Sequence, residues 1–171
     1  MEDILILVDE KDNFQGYMGK EEAHIKGIKH RAFSIFVFND KKELLLQQRA
    51  LHKYHTPGLW ANTCCSHPRY GETTDSAVHR RLPEEMGFDC ELTHIYEMSY
   101  EVKFDNGIIE NEYDHVYIGR YEKDPEVNPE EVQSFRWISL PDLMAEMEDE
   151  PEKYTFWFKK IMKEFDFTAI L

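Results

Sequence analysis

The sequence predicts an α+β protein, a mixed β-sheet with helices packed on its faces. Three observations carry this. Short β-branched and aromatic runs alternate with turn residues along most of the chain, one capped helical pattern lies near the middle, and two more close the C-terminal end. With 171 residues, 42% hydrophobic content, eleven Phe, nine Tyr and three Trp, the chain can bury a full core and reads as one domain over residues 1–171.

Taken in order, residues 4–8 (ILILV) read as a short buried strand, closed by the polar run 9–13. Residues 20–29 are polar, carry His24, and read as a loop with Gly27 as its signal. His30 opens the strand HRAFSIFVF. The turn 39–42 then returns the chain into ELLLQQ (residues 43–48), so the two strands are expected to form a hairpin. A basic loop, 51–56, holds Lys53. Residues 72–86 form the clearest helix pattern, with Thr74 as N-cap, Asp75 in the first turn and Gly87 as the stop. Pro83 inside it would cost roughly 3 kcal/mol in a regular interior, so a kink or a loosened last turn is expected there. Residues 92–104 and 108–120 are long strands around Asp105-Asn106-Gly107, a hairpin signal. A strand at 135–138 and helices at 140–148 and 152–165 complete the chain.

Composition narrows the function. Thirty-four acids against 20 bases give a formal charge of −14, which argues against a nucleic-acid partner. No run approaches the length of a membrane span, and three cysteines make no disulfide framework. A cytoplasmic protein without a membrane partner is expected.

Chemistry concentrates in NTCCSHP, residues 62–68. If that stretch is extended, Cys65 and His67 point to one side and Cys64 to the other. In the 108–120 strand Glu110, Glu112 and Asp114 alternate, so three carboxylates share a face. Either that face is solvated or it meets a cation. His24, His30, His67, Glu110 and Glu112 come from three separate segments and suit a divalent ion such as Mn²⁺, Mg²⁺ or Zn²⁺. Lys20, Arg49 and Lys53 precede the central stretch. Solvated charge is their ordinary role, and a diphosphate is the alternative.

The segments HRAFSIFVF (His30–Phe38), LLLQQRA (44–50), NTCCSHP (62–68), RRLPEEMG (80–87) and IIENEYDHV (108–116) stand in the order and spacing of the type 1 isopentenyl-diphosphate delta-isomerases. The chain resembles that family over nearly its whole length. The resemblance implies a Nudix-like mixed sheet flanked by helices. Two positions depart from the Nudix hydrolase pattern: Ser66 replaces its leading Gly, and Arg81 replaces the Glu of its Arg-Glu pair.

By that resemblance Cys65 and Glu112 are the catalytic pair and Tyr100 stands beside the acid. The metal ligands are His24, His30, His67, Glu110 and Glu112, and Glu85 helps hold a second Mg²⁺ on the substrate diphosphate. Lys20, Arg49, Lys53 and Arg81 contact that diphosphate, and Trp157 lies over the hydrocarbon, although packing on an amphipathic helix would also account for it. The implied partner is a small allylic or homoallylic diphosphate, with no organic cofactor and a monomeric protein. The implied reaction moves a double bond between isopentenyl and dimethylallyl diphosphate through a tertiary carbocation. A Nudix-type diphosphate hydrolase is the alternative. The isomerisation needs a strong, well-placed acid and a second group that accepts a proton, a task a thiolate can perform if nearby positive charge depresses its pKa.

Overall fold

The structure is a computed structural model that describes residues 2–53 and 55–171; Tyr54, inside the expected basic loop, lies outside the described residues. Its organising strand is β3 (His30–Phe38). Along one edge β3 runs parallel to β8 (Ile109–Arg120), from His30 opposite Glu112 to Phe38 opposite Arg120. β8 in turn pairs antiparallel with β7 (Leu92–Lys103), across the expected turn at Gly107. Three short partners share the other edge. β1 (Ile4–Val8) meets it at His30, β6 (Cys64–Ser66) covers Phe33 to Ile35, and β4 (Glu43–Arg49) touches it at Phe38 opposite Leu44.

The expected β3–β4 hairpin is therefore a single rung. Beyond the turn the two strands diverge. β5 (Trp60–Ala61) pairs with β4 and β6 pairs with β3, and β9 (Val132–Ser139) covers the far edge of β4. The turn chemistry at 39–42 was read correctly. What it cannot reveal is that Asn62 and Thr63 bridge the gap: Asn62 Nδ2 donates to the Ile35 carbonyl (3.0 Å), and Thr63 Oγ1 donates to the Leu45 carbonyl (2.7 Å).

Residue alternation along β3 sorts the core into two layers. Phe33, Ile35 and Val37 pack with Cys64 under Ala77, Val78, Leu82 and Met86 of α2 (Thr74–Met86). Phe36 and Phe38 face the other way, onto Trp157, Phe158 and Ile161 of α4 (Phe156–Glu164). Helix α2 begins two residues inside the expected 72–86, and its N-cap is Thr73, one residue before the expected Thr74; Thr73 accepts from Ser76 N–H (3.1 Å) in a reciprocal box with the Ser76 hydroxyl. The helix runs on through Pro83 to Met86 and ends at Gly87, whose φ of 74° needs no Cβ. The last expected helix is shorter than 152–165, because Pro151–Lys153 forms a separate 3-10 turn; the one before it is α3 (Leu140–Asp149).

Of the longer elements, two were not anticipated. β2 (Phe14–Gly19) pairs with β1, and the polar stretch expected to be a loop begins with helix α1 (Lys20–Lys26). With Ala23 and Ile25 as its only apolar residues, α1 shows no hydrophobic period. Its local signals are Glu21 and Glu22 in the first turn and Gly27 in the left-handed region at the end. Among the described residues no helix is long and apolar enough to cross a membrane.

Candidate active site

A pocket of about 160 Å³ lies where β3 and β4 part. Each wall is set by a local feature of the fold. β6 presents its residues alternately, so Cys64 is fully buried under α2 while Cys65 faces the α4 side. Helix α1 turns the polar segment inward at His24, and the first residue of β3 supplies His30. The β3–β8 register sets His30 opposite Glu112, and His30 Nε2 lies 3.0 Å from Glu112 Oε2.

His24, His30, His67 and Glu112 each offer a ligand atom within 4.8 Å of the others, and all four residues are buried. The set fits a divalent ion on several grounds. His30 Nδ1 donates to the Ile28 carbonyl (3.1 Å), which aims Nε2 into the group. His67 Nδ1 is buried and has no hydrogen-bond partner among the described residues. Burial pushes His24 down to about 4 and His67 well below the usual imidazole range, so both present lone pairs at neutral pH. His30 is also pressed down by burial, but its hydrogen bond to Glu112 and that carboxylate's charge prevail and raise it.

Glu110 stands apart from this group. Its side chain is ion-paired with His55 Nε2 and accepts from the Tyr100 hydroxyl (2.9 Å). Burial alone would raise Glu110, yet the hydrogen bond and charge of His55, with Tyr100, hold it below the usual carboxylate range. The Tyr100 hydroxyl also reaches Glu112. Its pKa is raised, first by burial and then by the two glutamates, so it stays a proton donor. All three alternating carboxylates of β8 are buried, so the solvated-face reading does not hold. Asp114, the third, accepts from Ser34 Oγ (2.7 Å) and is pushed well up by burial and by Glu112.

Cys65 departs from expectation. Burial raises its thiol first, and the charges of Asp114 and Glu85 add to this, outweighing Arg49. It is a neutral thiol that donates to Asn62 Oδ1 (3.1 Å) and accepts from Trp157 Nε1 (3.0 Å). Trp157 is core, 3% exposed, as packing on an amphipathic helix would have it, and it also lines the pocket. The Arg49 guanidinium lies 5.4 Å from the Trp157 ring centroid.

Lys20, Arg49, Lys53 and Arg81 all line the same pocket. In an acidic chain they are gathered at one mouth, where burial and the charge of Lys53 lower Lys20. Acids balance them: Glu131 pairs with Lys53 and, at 3.4 Å, with Arg81. Glu85 is buried, receives Gln47 Nε2 at 2.9 Å, and pairs with Arg81. The two departures from the hydrolase pattern touch one another, since Arg81 Nε donates to Ser66 Oγ at 3.1 Å. Arg81 also engages Glu84 (2.8 Å), so it occupies both glutamates that follow it in the motif. Sequence reasoning missed His55 and Glu131, and it placed Asp114 on the shared carboxylate face without giving it a role. Alternation on β8 pointed to Asp114; nothing in the pattern of the 51–56 loop singled out His55.

The NUDIX domain family matches residues 28–158. Solved structures agree on the fold: a Deinococcus radiodurans protein superposes with a TM-score of 0.78 at 16% identity, covering 96% of this chain and all of the other. A MutT protein from Methanosarcina mazei gives 0.69 at 19% identity, covering 84% and 96%. The chain belongs to the Nudix superfamily. Closer relatives narrow this. An isopentenyl-diphosphate Delta-isomerase 2 from Photorhabdus laumondii is 53% identical over 162 residues, 95% of this chain and 92% of the relative. An isopentenyl-diphosphate Delta-isomerase from Pectobacterium atrosepticum is 50% identical over 155 residues, 91% and 87%. Within the superfamily, the chain is a member of the isopentenyl-diphosphate Delta-isomerase family.

Proposed function

We propose that the protein interconverts isopentenyl and dimethylallyl diphosphate by moving one proton onto the alkene and another off it. The observation that carries this reading is a single pocket that holds Cys65, Tyr100, Glu112 and Trp157 beside Lys20, Arg49, Lys53 and Arg81. The first four suit proton transfer and an apolar chain; the second four suit a diphosphate.

In the forward direction a proton passes from Glu112 to the terminal alkene carbon, leaving positive charge on the tertiary carbon. Cys65 then takes a proton from the CH₂ on the diphosphate side, and that C–H pair becomes the new double bond. Tyr100 is hydrogen-bonded to Glu112 and would hold its carboxyl in place. The reverse direction exchanges the roles. Burial raises the Cys65 thiol in the substrate-free protein, so it is set for Cys65 to donate, and the forward direction starts from the form in which that proton has moved from Cys65 to Glu112. Trp157 offers a ring face to the cation, worth on the order of 2 kcal/mol when desolvated.

His24, His30, His67 and Glu112 would hold the metal, with Glu110 joining on release from His55. Mn²⁺, Mg²⁺ and Zn²⁺ all accept such ligands, and three imidazoles weight the set toward Zn²⁺. When bound, the ion would sharpen the acidity of the Glu112 carboxyl. Glu85 lines the same pocket and would help hold Mg²⁺ with the diphosphate.

Incubation with isopentenyl diphosphate tests the reading. Dimethylallyl diphosphate is the expected product, chelation is expected to stop its formation, and added Mg²⁺ or Mn²⁺ to restore it. Release of orthophosphate instead would assign the chain to the hydrolases, and no product at all would refute both.

A further inference from the structure

The outer face of the β7–β8 hairpin carries a second group of ligand atoms, on the opposite face of the strands from Glu110 and Glu112. Its cause is a bulge. His94 pairs with Tyr117 and Tyr96 with Val116, so Ile95 is an extra residue in β7. Without it, His94 and Glu97 would point to opposite sides of the strand. With it, both join His115 on the outer face, and one ligand atom from each lies within 4.8 Å of the others.

The spacing within the group is informative. His94 Nε2 is 3.2 Å from His115 Nδ1 and 3.7 Å from Glu97 Oε2. Four ligands at about 2.0–2.1 Å around a tetrahedral zinc sit roughly 3.3 Å apart. The supporting bonds are also in place. His115 Nε2 donates to Asp12 Oδ2 (2.9 Å), which holds the proton on Nε2 and leaves the Nδ1 lone pair facing the group. Arg31 Nε in turn donates to Asp12 Oδ1 (2.8 Å). The Tyr113 hydroxyl donates to Glu97 Oε1 (2.7 Å), leaving Oε2 for a cation. Partial burial keeps the His115 imidazole below its ordinary pKa and so neutral.

We propose that His94, Glu97 and His115 form a second metal site for a zinc-class divalent ion, with a fourth position open to solvent. Binding requires His94 to move its proton from Nε2, where it is shared with His115 Nδ1, to its own Nδ1, a change of tautomer that frees the Nε2 lone pair without net proton release. The ion would tie β7 to β8 at the bulge and, through His115 and Asp12, to the 9–13 turn after β1.

The test is equilibrium dialysis of the full chain against Zn²⁺ near neutral pH, comparing wild type with His94→Ala and Glu97→Gln. Both positions are solvent-exposed, and circular dichroism will verify that the variants fold. Wild type is expected to retain one equivalent of zinc per chain more than His94→Ala. Glu97→Gln is expected to bind that last equivalent at least tenfold more weakly. Equal stoichiometry and affinity in all three proteins would overturn the site.

Discussion

Adjacent cysteines with opposite surroundings show how much one residue's orientation decides. Cys64 is fully buried beneath α2, and Cys65 meets Asn62 and Trp157 at the pocket. Cys65→Ala is therefore expected to lower isomerisation by roughly 10²–10⁴-fold with the fold retained, the usual span for a proton-transfer group. Cys64→Ala should leave turnover nearly intact and cost a little stability. Steady-state rates and thermal melts on both variants decide this. The side-chain alternation behind that contrast was legible in TCCSHP. The protonation state of Cys65 was not, because it depends on burial and on Asp114, a residue of another strand. Alkylation of the substrate-free protein at Cys65 is consequently expected to be slow at neutral pH and to accelerate as pH rises, as read by mass spectrometry with iodoacetamide. His55 was equally illegible: only the fold brings it to Glu110. His55→Ala should alter metal affinity by around tenfold, the scale of a ligand-orienting contact, measured by competition with a chelator.

At the scale of elements, strong local signals were read correctly and long-range partners were not. The β7–β8 hairpin and helix α2 follow from Asn-Gly turn chemistry and from a capped, periodic segment. The β3–β4 pair was misread because no local rule encodes the insertion of β5 and β6 between two strands joined by a good turn. Helix α1 was missed because it buries only Ala23 and His24. That helix nonetheless supplies one imidazole, His24, of the group that could hold a metal, so its C-terminal stop matters. A Cβ at Gly27 would meet the Ile109 side chain at 3.0 Å, at a φ of 69° that disfavours other residues. For α2, Thr73→Ala removes a capping box and is expected to cost about 1 kcal/mol, while Leu82→Ala empties a fully buried position and should cost roughly 2–5 kcal/mol. Urea denaturation of both variants distinguishes the two magnitudes.

Across the whole molecule, a chain of net charge −14 places Lys20, Arg49, Lys53, Arg69 and Arg81, with His55 and His67, around one pocket. This has a consequence for pH. His24 and His67 are held below their ordinary range by burial, so as pH falls the unfolded chain takes up protons first. Stability of the metal-free protein should therefore fall from about pH 6.5, the ordinary imidazole value, down to about 4, where folded His24 itself protonates. Denaturation midpoints across that window measure it, and His24→Gln should flatten the slope.

The central claim is that Glu112 both holds the metal and moves the proton. Glu112→Gln keeps the side chain's shape and one oxygen for the ion but removes the ionisable acid. The decisive measurement is deuterium incorporation from D₂O into the protonated alkene carbon, on wild type and on Glu112→Gln with matched metal content and substrate affinity. The account predicts incorporation with turnover in wild type and near-complete loss of both in the variant, through the missing acid alone. A fully metal-loaded Glu112→Gln that isomerises and incorporates deuterium at close to the wild-type rate would contradict it, leaving Glu112 a ligand only and moving the proton-donor role to Tyr100.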